Sequence, residues 1–262
     1  MNTLLTLTLL CLTADPNIEF VAHRGESYDA PENTLAAFQL AWDRSVSTIE
    51  LDVHLTKDGQ LIVCHDPNTK KTTGVEKAIK DSTLAELRTL DAGLWKGKQF
   101  AGEKLPTLAE ALATIPDRGR CFIELKTGPE VVPELVKAVA ASGKRPEQLV
   151  IISFNPESLA EAKRRLPKHQ AYWIVSVKKD KTTGDLAPTV AELIAQAKAM
   201  HADGLDLSIP PTRDYVEPVK AAGLKLFVWT VNDVAVARKF LELGVDGITT
   251  DRAGWLKEQL AQ

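Results

Sequence analysis

The stretch Ile49-Glu50-Leu51-Asp52-Val53-His54-Leu55-Thr56-Lys57-Asp58-Gly59-Gln60-Leu61-Ile62-Val63-Cys64-His65-Asp66 holds an acidic pair, a turn and a histidine in one run. Side chains two apart on a strand project to the same face, so Glu50 and Asp52 can grip one ion together. Asp58-Gly59 is the two-residue signal of a hairpin turn. Pairing Lys57 with Gln60 across that turn predicts Asp52 directly opposite His65. The hairpin then carries a histidine to an acidic site.

Outward from this stretch the same grammar repeats: short β-branched runs end in polar residues and alternate with Ala- and Leu-rich amphipathic stretches, as in βα units of a parallel sheet. Eight units are legible, with strands ending near Val21-Ala22-His23, Glu50-Leu51-Asp52, Ile123-Glu124-Leu125-Lys126, Ile151-Ile152-Ser153, Trp173-Ile174-Val175, Leu205-Asp206-Leu207, Val228-Trp229-Thr230 and Ile248-Thr249-Thr250-Asp251. Helices should begin near Thr34, Thr107, Glu130, Pro156, Pro188, Thr212, Asn232 and Ala253. Eight such units predict an α/β fold, a closed (β/α)8 TIM barrel, with a hairpin after strand 2. An open doubly wound sheet is disfavoured, because no glycine-rich dinucleotide fingerprint follows the first strand. Residues 67–104 read as an insertion with a short helix around Leu84 to Leu90. It is expected to fold over the barrel mouth without a core of its own.

The 262 residues carry a formal charge of −3, a pI near 6.0 and 44% hydrophobic residues. That supports a sizeable core and excludes the basic field that nucleic-acid binding requires. Residues 1–14, MNTLLTLTLLCLTA, read as a signal peptide with cleavage near Ala14. The expectation is an exported protein, periplasmic or secreted, with the cytoplasm as the alternative, and residues 15–262 as a single barrel domain. No apolar run approaches the roughly 20 residues that span a bilayer, so stable membrane insertion is not expected. Cys11 would leave with the leader, and Cys64 and Cys121 read as small core hydrophobes.

Active sites of such barrels gather at the carboxyl ends of strands, where His23, Glu50, Asp52, His65 and Glu124 all fall. Glu50, Asp52 and Glu124 offer only oxygen, which favours one divalent ion, Mg2+ or Ca2+. Ligation by histidine would shift the choice toward Mn2+ or zinc. His23 and His65 can serve as general acid and base, and Arg24 and Lys126 can hold an anionic substrate. Cations, bases and a hard metal together fit phosphoryl transfer from a phosphate ester. His54 is a competing ligand candidate, whereas His169 and His201 read as surface residues. Glu32 and Asn33 are expected to brace the first loop and cap its helix, and Asp251 to make a rim salt bridge, with contact to the site as the alternative.

The ordered set His23-Arg24-Gly25, Pro31-Glu32-Asn33-Thr34, Glu50-Leu51-Asp52, Lys57-Asp58-Gly59, His65-Asp66, Leu105-Pro106-Thr107, Glu124-Leu125-Lys126 and Trp229-Thr230-Val231-Asn232 resembles the glycerophosphodiester phosphodiesterase family from about Phe20 to Asp251. The resemblance implies a phospholipase C-like barrel that hydrolyses a glycerophosphodiester to glycerol 3-phosphate and an alcohol. It makes Glu50, Asp52 and Glu124 the metal ligands and His23 and His65 the acid/base pair. Arg24 and Lys126 would hold phosphate, with Trp229 against the glycerol or head group. Many relatives continue His-Arg-Gly with another glycine, where this chain has Glu26. Two alternatives share the site: a phospholipase D- or C-like activity on a lysophospholipid or phosphoinositide, and a non-catalytic phosphate-ester binding protein.

Overall fold

The structure, a computed structural model, describes residues 18–261 apart from residues 183 and 211; the leader expected at residues 1–14, with Cys11, lies outside the described residues. Its strands are β1 (Glu19–Ala22), β2 (Thr48–Leu55), β3 (Leu61–Val63), β4 (Arg120–Leu125), β5 (Leu149–Ser153), β6 (Gln170–Ser176), β7 (Lys178–Lys179), β8 (Leu186–Ala187), β9 (Gly204–Ser208), β10 (Lys225–Val228) and β11 (Gly247–Thr250). Parallel pairing runs β1-β2-β4-β5-β6-β9-β10-β11 and returns to β1, closing an eight-strand barrel. β3 joins β2 as an antiparallel edge, and β7 with β8 forms a separate two-stranded ribbon. All eight expected strands are present.

The principal helices are α1 (Leu35–Asp43), α4 (Leu108–Ala113), α5 (Val132–Ser142), α6 (Pro156–Arg165), α7 (Val190–Ala199), α8 (Arg213–Ala221), α9 (Val234–Leu243) and α10 (Ala253–Leu260), with the short turns α2 (Lys70–Thr73) and α3 (Leu84–Leu87) in the insertion. Six of the eight principal helices start where a side-chain oxygen accepts an otherwise unpaired first-turn amide. Thr34, Thr107, Asn155, Thr189, Thr212 and Asp233 all do this, and Thr107 and Thr189 form reciprocal capping boxes with Glu110 and Glu192. Asn33, expected to share in capping, has a positive φ of 58° and leaves the cap to Thr34.

Two apolar layers result from the alternation of strand side chains. Outward residues such as Ile49, Leu51, Ile123, Ile151, Leu205 and Leu226 pack under the helices. Inward, Val21, Phe122, Val150, Ile152, Tyr172, Ile174 and Phe227 fill the barrel. Phe122, Tyr172 and Phe227 interlock with ring centroids 5.0 to 5.6 Å apart. Gly247 makes room for them, since a β-carbon there would stand 2.2 Å from Phe227. This aromatic plug fills the interior of the barrel beneath its carboxyl end.

The hairpin register differs from the expected one. The hairpin pairs Leu55 with Leu61 and Val53 with Val63, so Thr56 faces Gln60, and the Cys64 amide donates to the Asp52 carbonyl. The turn therefore spans three residues, Lys57-Asp58-Gly59, with Gly59 at φ 73°. Thr56 Oγ1 shapes it by donating to Asp58 and accepting from the Gln60 amide. Asp52 thus lies opposite Cys64, and His65 stands one residue beyond the pair. The insertion, expected to have no core of its own, packs on the hairpin: Ile79, Leu87 and Ala92 join Leu105, Ile62 and Cys64 in one small cluster.

Candidate active site

A cavity of about 200 Å³ at the carboxyl end of the barrel is lined by His23, Arg24, Glu50, His65, Glu124, Ile152, Phe154, Ile174, Asp206, Trp229, Thr230 and Thr249. Glu50 and Asp52 come from β2 and Glu124 from β4, where the register sets Asp52 beside Glu124. All three carboxylates are buried, and one oxygen from each lies within 4.8 Å of the others.

Their electrostatics report crowding. Burial, then the charges of Asp52 and Glu124, push Glu50 well above the usual carboxylate range. Burial and the Asp52 charge push Glu124 up to about 8, against the pull of Lys126. Burial also opposes ionisation of Asp52, but Lys126, Arg24, His65 and a hydrogen bond from Asn33 hold it below its ordinary value. Without a further cation the cluster retains protons to relieve repulsion. Asp52 Oδ1 accepts no hydrogen bond among the described residues, with Lys126 Nζ 3.4 Å away. An all-oxygen set of this size with an orphaned oxygen fits a hard divalent cation. The described residues include no other cluster of this kind.

The first loop braces the cluster. Arg24, at φ 57°, donates its backbone N–H to Glu50 (2.8 Å) and its guanidinium to Glu32 (2.9 Å). Asn33 Nδ2 donates to Asp52 Oδ2 at 2.7 Å, so Asn33 aims a carboxylate. Lys71 from the insertion reaches Glu32 at 2.8 Å, which ties the insertion to the first loop. Glu26 is fully buried and ties the loop to α10 through the Gly254 amide (2.6 Å) and to Arg44 (2.9 Å). Lys126 Nζ donates to Glu124 at 2.6 Å.

Both histidines share one design. His23 Nδ1 lies 2.7 Å from Asp251, and His65 Nδ1 lies 2.6 Å from Asp66. An aspartate on Nδ1 fixes the ring and leaves Nε2 for proton transfer. Asp251, read from sequence as a rim salt bridge or a residue touching the site, pairs with His23 and is itself positioned by Asn232 (2.6 Å). Burial opposes ionisation of Asp251, yet the His23, Asn232 and Ser27 contacts bring it down to about 2.

The remaining histidines fall away from this arrangement. His54 Nε2 bonds to the His65 carbonyl (3.1 Å), and His54 stands outside the carboxylate cluster. His169, expected at the surface, is buried among described residues that offer its ring no hydrogen bond. His201 is exposed, as expected. Cys64 and Cys121 are buried and unpaired. Trp229 donates to the Asp206 carbonyl (3.1 Å) and packs edge-on against Phe154. Asp206 was missed as a site residue, although it is an acid near a strand end; it lacks the i±2 acidic partner that singled out Glu50 and Asp52. A larger cleft of about 520 Å³ opens at the opposite rim beside Arg118, Arg120 and Arg145. Arg120 there is engaged by Glu19 and Gln170, and Arg145 by Glu147.

The sequence model of the glycerophosphoryl diester phosphodiesterase family matches residues 23–255. The chain is 39% identical to a glycerophosphodiester phosphodiesterase of Caldanaerobacter subterraneus subsp. tengcongensis, over 88% of this chain and 93% of that protein. It is 33% identical to one of Bacillus subtilis strain 168, over 92% of this chain and 85% of that protein. Among solved structures it superposes on an Oleispira antarctica phosphodiesterase in complex with the product sn-glycerol-3-phosphate. There the TM-score is 0.83 at 29% identity, covering 93% of this chain and 97% of that one. No helix among the described residues is long and apolar enough to cross a membrane. With the barrel, the acidic cluster and the paired histidines in one cavity, this chain belongs to the glycerophosphoryl diester phosphodiesterase family.

Proposed function

We propose that this glycerophosphodiester phosphodiesterase works by metal-dependent His23/His65 acid-base catalysis, with Glu50, Asp52 and Glu124 holding one divalent cation. The observation that carries the reading is the pair of aspartate-held histidines lining the cavity of the three crowded carboxylates. A cation bound there supplies positive charge that acidifies a nearby hydroxyl and offsets charge developing on phosphate.

The chain's own groups then divide the work. One histidine takes the proton of the glycerol 2-hydroxyl through Nε2 as that oxygen bonds to phosphorus. The other histidine gives a proton to the alcohol oxygen as its bond to phosphorus breaks. In the second half-reaction a histidine takes a proton from attacking water, and the other returns one to O2 as the cyclic phosphate opens to glycerol 3-phosphate. Arg24 and Lys126 hold the phosphate oxygens, and Trp229 covers the organic part. Non-catalytic binding alone does not call for two oriented proton-transfer groups.

Incubation with glycerophosphocholine and glycerophosphoethanolamine, with Mg2+, Ca2+, Mn2+ or chelator, tests this. Metal-dependent glycerol 3-phosphate release, lost in His23→Ala, is the expected result. Turnover of detergent-dispersed lysolipids above that of the water-soluble diesters would move the substrate class, and product release undiminished by chelator would sink the metal reading.

A further inference from the structure

Asp206 projects into the barrel from β9, in register with Ile174 of β6 and Phe227 of β10. It is 3% exposed, lines the catalytic cavity, and its Oδ1 has no hydrogen-bond partner among the described residues. Thr249 Oγ1, in the same lining, is equally buried and unpartnered. An unpaired buried polar atom costs stability, and two facing one cavity call for a ligand that pairs with them.

The topology says which part of a ligand. Around the eight-strand ring β9 stands four strands from β2 in either direction, so Asp206 lies across the barrel from Glu50 and Asp52. Ile152, Ile174 and Trp229 line the cavity as well, so it has polar groups on opposite walls and apolar surface besides. In the proposed reaction the 2-hydroxyl and the phosphate occupy the histidine and carboxylate wall. The terminal C1 hydroxyl, on the far side of C2 from the phosphate, remains to be bound.

We propose that Asp206, assisted by Thr249, binds the terminal hydroxyl of the substrate's glycerol unit and so selects glycerol esters over diesters that lack it. Burial keeps the Asp206 carboxyl protonated up to about 7, which lets it donate to and accept from a neutral hydroxyl. The same burial disfavours a cationic head group as its partner, because Asp206 would have to ionise in the barrel interior. The role rests on the hydrolytic reading for which hydroxyl is left over.

The test compares glycerophosphocholine with 2-hydroxypropylphosphocholine, which keeps the attacking hydroxyl and lacks the terminal one, in wild type, Asp206→Ala, Asp206→Asn and Thr249→Val. Calorimetry with glycerol 3-phosphate and its 1-deoxy analogue runs beside it. Wild type is expected to favour the full glycerol substrate by about 10- to 100-fold in kcat/KM. Asp206→Ala should bring that ratio close to one, Asp206→Asn should keep most of it, and Thr249→Val should lower it part-way. Equal losses by Asp206→Ala on both substrates would mark a structural role and overturn the proposal. A selective loss on choline and ethanolamine esters, with glycerophosphoglycerol spared, would overturn it in favour of head-group recognition. If no variant or wild type turns over either ester, discrimination in the calorimetry still decides Asp206, while the hydrolytic reading fails separately.

Discussion

Each proposed catalytic histidine is held at Nδ1 by an aspartate, so the two imidazoles differ mainly in where they sit. His23→Ala and His65→Ala are each expected to lower kcat by about 1,000-fold with the fold intact. Asp251→Asn and Asp66→Asn should lower kcat by about 10- to 100-fold while KM stays near wild type, because only the imidazole orientation is lost. Steady-state kinetics beside a thermal melt read both. A rise in KM at constant kcat would show that the aspartates serve binding instead. Asp206 carries a pH signature of its own. Its folded-state pKa is raised to about 7 by burial, whereas the unfolded value is about 3.9. The folded state therefore binds the extra proton between those values. Stability from this group is fully present below pH 4 and is lost as pH rises through about 7. That difference corresponds to roughly 4 kcal/mol. Asp206→Asn should flatten that part of the stability profile in urea titrations at pH 4 to 8, and an unchanged slope would count against a buried, protonated carboxyl.

At the scale of elements, turns and caps set where the barrel begins and ends its units. Gly59 sits at φ 73° with open space around its α-carbon. Gly59→Ala thus meets only backbone strain and should cost about 1 kcal/mol. Thr107 caps α4 in a reciprocal box with Glu110, which also binds Arg88 of the insertion at 2.6 Å. Thr107→Ala should cost about 1 kcal/mol in chemical denaturation. These elements were largely legible in advance, because threonine before an amphipathic run and glycine at a tight turn are local signals. Hairpin register was not. Asp58-Gly59 signals a two-residue turn, but Thr56 extends the loop to three through hydrogen bonds to Asp58 and Gln60. The likeness of one-residue alternatives in the sequence hides such a slip.

For the molecule as a whole, the aromatic plug and the carboxylate cluster pull in opposite directions on stability. Phe122, Tyr172 and Phe227 close the barrel interior, and Gly247 is shaped to admit them. Gly247→Ala should destabilise by about 3 kcal/mol through overpacking. The crowded carboxylates cost stability until their charge is offset. Saturating Mg2+ or Mn2+ should therefore raise the melting temperature by about 5 °C, on the order of 2 to 3 kcal/mol of linkage. Glu50→Gln should abolish the rise, and equal shifts in both proteins would place the cation elsewhere.

The division between sequence and tertiary structure follows from the range of each interaction. Period, caps and turn residues are local, so eight βα units and a closed barrel could be read from the chain. Acids two apart within an apolar strand marked Glu50 and Asp52 for the same reason. Other features depend on contacts between residues distant in sequence. Asp251 meets His23 only because β11 closes against β1. Asn33 aims Asp52 because the first loop folds back over β2. Asp206 faces Glu50 and Asp52 because four strands separate it from β2 around the ring. His169 and the hairpin-insertion core belong with these, since their burial is decided by what packs on them. The local code determined which residues could do chemistry; barrel closure decided which of them meet, because only closure brings the first and last strands into hydrogen-bonding distance.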